Sequence, residues 1–276
     1  MGDSTIKDIK VRKILDSRCG FTVEVTVSSE RLSGTAMVAN STSTGTHEVF
    51  AFPGGDADNG IANFETVKKE LIGVDARDQS DVDGILHRIG GERFGFIGGN
   101  VSTGVSVASA KLAAKSEGIE LFEYIFSNYT KNVGIKKRIP RPLGNLMGGG
   151  IHSNDRMSIQ EILISADSDS FMNNAYINGQ AHRSLGEHLS KVLGISTGVN
   201  IEGAWVTGLK DRENLELAGR ICREVGKKFG TRIDLGADFA ASEFYEDGFY
   251  AIPQSPCHSH AQTQPPLWYR SMCLSG

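Results

Sequence analysis

The sequence predicts an α+β N-terminal domain, a three-stranded antiparallel meander plus helices, followed by an incomplete β/α barrel. Three observations carry that expectation. Residues 6–38 alternate apolar and polar, the apolar spacing lengthens to a helical one from about Gly60, and beyond Pro140 and Pro142 strand-like runs alternate with long helical ones.

Ile6, Ile9 and Val11, then Phe21, Val23, Val25 and Val27, then Ala36 and Val38 set three strands with one buried face. Ile61, Phe64, Val67 and Leu71 form a helical stripe, and Val82, Ile85, Leu86 and Ile89 a second. Val101, Val105, Val107, Ala108, Leu112 and Ala113 give a third, largely buried helix, and Leu121, Tyr124 and Ile125 a short fourth. The basic stretch Lys136-Lys137-Arg138 and the two prolines mark a boundary, so the first domain is expected over 1–138.

Over 139–252, strands at 142–147, 157–165, 195–201 and 232–238 alternate with helices at about 170–193 and 211–229. Asp211 reads as the N-cap of the last helix, whose stripe is Leu215, Ala218, Cys222, Val225 and Phe229. Alternation of this kind argues for a parallel sheet or barrel, with function at the C-terminal ends of strands. A closed eight-stranded barrel takes about 250 residues, and the residues from 139 to 276 fall short of that. The segment 253–276 holds four of the seven prolines and has no period, so it reads as an irregular tail.

Composition narrows the function classes. With 39% hydrophobic and 22% charged residues and a net charge of -4 spread along the chain, the protein reads as globular with no nucleic-acid partner. No apolar run approaches the roughly 20 residues that span a bilayer, and the polar start MGDSTIKDIK does not read as a signal peptide. The expectation is a cytoplasmic protein whose cysteines, Cys19, Cys222, Cys257 and Cys273, are free thiols. Cys257, His258 and His260 place soft and imidazole donors together, but no periodic flank fixes ligand geometry, and a plain tail segment is the favoured reading.

Chemistry-bearing residues recur at the predicted strand ends: His152 after Gly148-Gly149-Gly150, Gln160 and Glu161 in the second strand, Glu202 after the third and Asp238 after the fourth. Three carboxylates and an imidazole converging on one mouth suit cation binding and acid/base work, because like charges raise one another's pKa. Each alone reads equally as a cap or a surface charge, so the weight lies in the recurrence. The loop from Asn40 to Glu48, rich in small hydroxyl residues, reads either as a lid donating hydrogen bonds to an anion or, more readily from composition, as a solvated turn. Gly95-Phe96-Ile97-Gly98-Gly99-Asn100 lacks the P-loop Lys and reads as packing and capping.

Taken in order, these segments resemble the enolase family. Ile14-Leu15-Asp16-Ser17-Arg18 with Thr22-Val23-Glu24-Val25 is similar to its opening motif, Ser43-Thr44-Gly45-Thr46-His47-Glu48 to the end of its mobile loop, and Gly104-Val105-Ser106-Val107-Ala108 to its buried helix. Gly149-Gly150-Ile151-His152, Gln160-Glu161, Glu202-Gly203 and Asp238-Phe239-Ala240-Ala241-Ser242-Glu243-Phe244-Tyr245 follow in the family's order, so the resemblance covers about 6–252. It implies an enolase-type barrel and a lyase that reversibly dehydrates 2-phosphoglycerate to phosphoenolpyruvate in glycolysis with Mg2+. It also implies Glu202 as the acid for the departing 3-hydroxyl aided by Glu161, substrate contacts from His152, Glu161, Gln160 and Ser43, metal ligation by Asp238 and by Asn40 at the place of a loop Ser, and a homodimer interface at Glu24.

Departures accompany it. Asn40 is flanked by Ala39 and Ser41 where the family has Pro and Gly, Cys19-Gly20-Phe21 replaces Gly-Asn-Pro, and Asn200-Ile201-Glu202-Gly203-Ala204 replaces Gly-Asp-Glu-Gly-Gly. The family's base lysine and two further metal carboxylates have no counterpart after Tyr250, so the expectation is a truncated chain inactive alone. The alternative is a non-catalytic enolase-like module that binds a partner or another subunit. A superfamily relative acting on another carboxylic acid is less favoured, since the acids follow enolase rather than a Lys-x-Lys base pair.

Overall fold

The computed structural model describes residues 3–40, 45, 47–130, 134, 136–150, 157–191, 194, 197–246 and 249–250. The chain forms two compact units, Met1–Lys137 and Arg138–Gly276.

In the first unit β1 (Asp8–Leu15), β2 (Phe21–Ser28) and β3 (Ser33–Met37) make an antiparallel sheet in the order β1-β2-β3, with Val25 paired to Val11 on one side and Ala36 on the other. Four helices follow: α1 (Ala57–Val67), α2 (Gln79–Gly90), α3 (Gly99–Glu117) and α4 (Leu121–Tyr129). Carboxylates open two of them, Asp56 accepting from the Asp58 N–H and Asp78 from the Asp81 N–H, which satisfies backbone donors a helix start leaves free. The buried residues of α3 share one core with Val23, Val25 and Val27. The approach is close: a Cβ on Gly104 would lie 2.5 Å from Val25 Cγ2.

Two expectations for this unit fail. The meander is not one-faced, because Thr22 and Glu24, which alternate with Val23 and Val25, are buried as well; Thr22 donates to the Val38 carbonyl and Glu24 accepts from Arg12. Phe21, assigned to the core, is 58% exposed, and the Lys13 ammonium lies 4.6 Å from its ring centre. Val107 and Ile125 also face solvent.

The second unit carries β4 (Gly144–Gly148), β5 (Glu161–Ala166), α5 (Phe171–Lys191), α6 (Asp211–Phe229) and β6 (Ile233–Asp238). Ile162, Ile164 and Ala166 bury one sheet face against Ala181 and Leu185 of α5 and Ala218 and Ile221 of α6. The parallel strand direction expected of a parallel sheet or barrel does not hold for these three strands: β5 is central and antiparallel to both β4 and β6. Connectivity explains this. One helix returns the chain for a parallel strand, whereas the two helices between β5 and β6 bring it back reversed. The parallel contact among the described residues is the bridge between Met147 and Trp205.

The expected strand over 195–201 is likewise replaced. Val199 bridges Trp205 around a turn at 200–204, and residues 195 and 196 lie outside the described residues. Asp211 is the first residue of α6 and not its cap. Its carboxylate accepts from the Ser158 and Ile159 N–H groups, in the segment before β5, at 2.6 and 3.3 Å, while Glu213 accepts from the Lys210 N–H at 2.9 Å.

Candidate active site

Because β5 runs against its neighbours, its first residue lies beside the last residues of theirs. Glu161 pairs with Gly148 on one side and with Asp238 on the other. Residues directly opposite in a sheet share a face with Cβ atoms about 5 Å apart. Asn145, opposite Leu163, lies on that same face, the one turned away from the helices.

Glu202 reaches the rim from the turn between Val199 and Trp205. Asn200 shapes that turn: its N–H donates to the Ala204 carbonyl at 2.8 Å, its carbonyl accepts from Gly203 at 3.0 Å, and its side-chain Oδ1 accepts from the Glu202 and Ala204 N–H groups at 2.9 and 3.1 Å. From β4, Asn145 Nδ2 donates to Glu202 Oε2 at 3.3 Å. Two contacts from α5 hold the far side of the turn: Trp205 Nε1 donates to the His182 carbonyl at 2.9 Å, and His182 Nε2 lies 2.8 Å from the Gly203 carbonyl.

The Glu161 carboxyl is close enough to that of Glu202 to be acted on by it. Neighbouring carboxyl groups favour the state in which one of them carries a proton. Burial, the neighbouring Glu202 carboxyl and the charge of Asp238 together push the Glu161 carboxyl up to about 7. Among the described residues the charged groups acting on Glu161 are both acidic, an arrangement that keeps its proton on toward neutral pH.

The other sequence-expected residues fall out differently. Gln160 is 8% exposed, its carbonyl accepting from the Gly149 N–H at 3.0 Å while its side-chain Oε1 is buried with no partner among the described residues. Asp238 is exposed, with Oδ1 accepting from the Ala240 N–H at 2.9 Å. His152, Ser43 and the Cys257, His258 and His260 segment lie outside the described residues. Asn40 belongs to the first unit, where its Oδ1 accepts from Asn100 at 2.8 Å and its Nδ2 donates to the Phe21 carbonyl at 2.9 Å and to Asp16 at 3.3 Å. Among the described residues no group of three His, Cys, Asp or Glu is arranged to hold a metal ion. Sequence reasoning missed Asn145, Asn200 and His182. Asn145 lay in a predicted strand, and the departure at Asn200 was the signal for the second.

Residues 6–125 match the family model described as Enolase, N-terminal domain, and residues 136–266 the one described as Enolase, C-terminal TIM barrel domain. The second match includes 253–266, part of the segment read from its composition as an irregular tail. The enolase of Thermoplasma acidophilum is 43% identical over 248 residues, which are 89% of this chain and 60% of that protein. The enolase of Picrophilus torridus is 38% identical over the same shares, and that of Methanothermobacter thermautotrophicus 36% identical over 88% of this chain and 58% of its own length. The chain therefore spans about 60% of the length of the curated relatives it matches.

Proposed function

Starting from the fact that the chain belongs to the enolase family, we propose that its second unit carries the acid side of a phosphopyruvate hydratase site. In the reversible dehydration of 2-phosphoglycerate the 3-hydroxyl departs as water once protonated. The observation that carries the reading is Glu161, set directly across the sheet from Asp238 and within reach of Glu202, with its carboxyl raised to about 7. Glu161 holds a proton at neutral pH; passed to the carboxylate of Glu202, the more exposed of the two, it is delivered to the leaving oxygen, and Glu161 is left ionised. His152, Gln160 and Ser43 are assigned to the substrate by the same resemblance, and a homodimer through the face bearing Glu24 belongs to the proposal.

Mg2+ is the metal the family implies, with Asp238 at the place of a ligand to one ion and Asn40 at the place of the loop Ser that binds a second. The described residues meet it only in part. Asp238 offers one carboxylate oxygen clear of its backbone bond, the Asn40 oxygen accepts from Asn100, and Glu161 keeps its proton toward neutral pH. A magnesium ion held by one or two carboxylates needs substrate oxygens and waters as well, so no step is assigned to it.

Abstraction of a proton beside a carboxylate needs a base, which the resemblance assigns to a lysine with no match among the described residues, and the reading proposed for the chain by itself is no turnover. The experiment adds 2-phosphoglycerate and Mg2+ to the purified 276-residue chain, following the Glu161 and Glu202 carboxyl 13C resonances and, in parallel, phosphoenolpyruvate formation. Both resonances shift and no product forms. Unmoved resonances sink the assignment of the site, and product formation sinks the assignment of an acid side alone. A second reading, a non-catalytic enolase-like binding or assembly module, is favoured by Ile201, 64% exposed beside Glu202 where the family has an Asp.

A further inference from the structure

Gly148 and Asn200 come from separate segments and fit one another as space and filler. A Cβ on Gly148 would lie 2.2 Å from Asn200 Nδ2 and 3.1 Å from the Ala204 Cβ, so the Asn200 amide stands where a side chain at 148 would. Gly148 is the last residue of β4, paired with Glu161, and its N–H donates to the Trp205 carbonyl at 3.2 Å. The seat therefore lies between the strand end that abuts Glu161 and the turn that carries Glu202.

The amide is oriented from its other side, since Oδ1 accepts from both the Glu202 and Ala204 N–H groups. Nδ2 then faces β4 and is buried without a partner among the described residues. A buried unpaired amide N–H costs stability, so its retention calls for an offsetting role.

We infer that Asn200 is a positioning residue, the amide that fixes the turn presenting Glu202, and that position 148 is glycine in order to seat it. Asn145 acts from the same strand on the carboxylate itself, so the backbone and the side chain of Glu202 are each held by one asparagine. The inference deepens the proposed function and rests on it, since Glu202 matters only as the member of the pair that meets substrate. Asn200 itself touches no reacting atom.

The test is amide hydrogen exchange at Glu202 and Ala204 in the full chain, with exchange in β5 as the measure of intact fold. Asn200→Ala is expected to speed exchange at both amides by about tenfold or more, leave β5 protected, and abolish the shift of the Glu202 carboxyl resonance on adding 2-phosphoglycerate. Asn200→Asp keeps an acceptor at the same atom and restores protection, a rescue that general packing does not predict. Should Asn200→Ala fail to fold, Gly148→Ala carries the comparison, because it displaces the amide while leaving the turn's sequence intact. Protection at wild-type level in Asn200→Ala or Gly148→Ala, or its loss in Asn200→Asp, overturns the inference. A wild-type Glu202 resonance unmoved by 2-phosphoglycerate overturns the acid-pair reading instead, and the exchange comparison still decides the role of Asn200.

Discussion

Glu161 lies directly across the sheet from Asp238, and its carboxyl is acted on by Asp238 and Glu202 together. Its proton links the site to stability. Glu161 is raised to about 7 in the folded chain, so between its ordinary carboxylate range and pH 7 the folded state binds more protons than the unfolded one. The stabilisation is complete below the unfolded pKa and is lost as pH rises through about 7. Urea midpoints measured from pH 4.5 to 8 are expected to fall by the equivalent of about 1–2 kcal/mol after allowing for solvent screening. Glu161→Gln, neutral throughout, removes that slope; parallel profiles for variant and wild type contradict the account.

Gly186 faces the Trp205 indole so closely that a Cβ would sit 2.2 Å from Cζ2, whereas Gly179 in the same helix has nothing within 4 Å. Gly186→Ala is expected to cost about 1–3 kcal/mol and to redden Trp205 emission in a Trp268→Phe background. Gly179→Ala stabilises by about 0.5–1 kcal/mol through helix propensity. Equal effects at the two positions count against the indole seat.

Asn40→Ser restores the residue type of the family's loop, yet it is expected to lower stability by about 1–2 kcal/mol. The serine hydroxyl is too short to meet Asn100, the Phe21 carbonyl and Asp16 together. Chemical denaturation decides the point, and an unchanged midpoint removes Asn40 as the centre of that network.

Asp211→Ala leaves the Ser158 and Ile159 N–H groups without their acceptor and takes a negative charge from the start of α6. A loss of about 1–2 kcal/mol follows, with exchange quickened at 158–159 before it is in β5. Destabilisation spread evenly over the unit speaks against a local brace.

Much of this was legible in the sequence, and the failures have physical causes. The helical stripes of α1, α2 and α6 placed their buried faces, because a 3.6-residue period is local information. Glu161, Glu202 and Asp238 stood out as acids near strand ends. Alternation carries no strand direction, however, so the antiparallel run of β5 could not be read, although that direction puts its first residue beside the last residues of β4 and β6. Val199 and Ile201 looked like a strand face and instead project from a turn, half-exposed or more. Fits such as Gly148 with Asn200 and Gly186 with Trp205 join distant segments and leave no periodic trace.

The claim that Glu161 keeps its proton to neutral pH beside Glu202 is tested most directly by carboxyl 13C titration of the glutamate-labelled chain. The account predicts that Glu161 titrates near pH 7 and that Glu202→Gln returns it toward the ordinary carboxylate range. Titration of Glu161 in that ordinary range, or a raised value unaltered by Glu202→Gln, contradicts it.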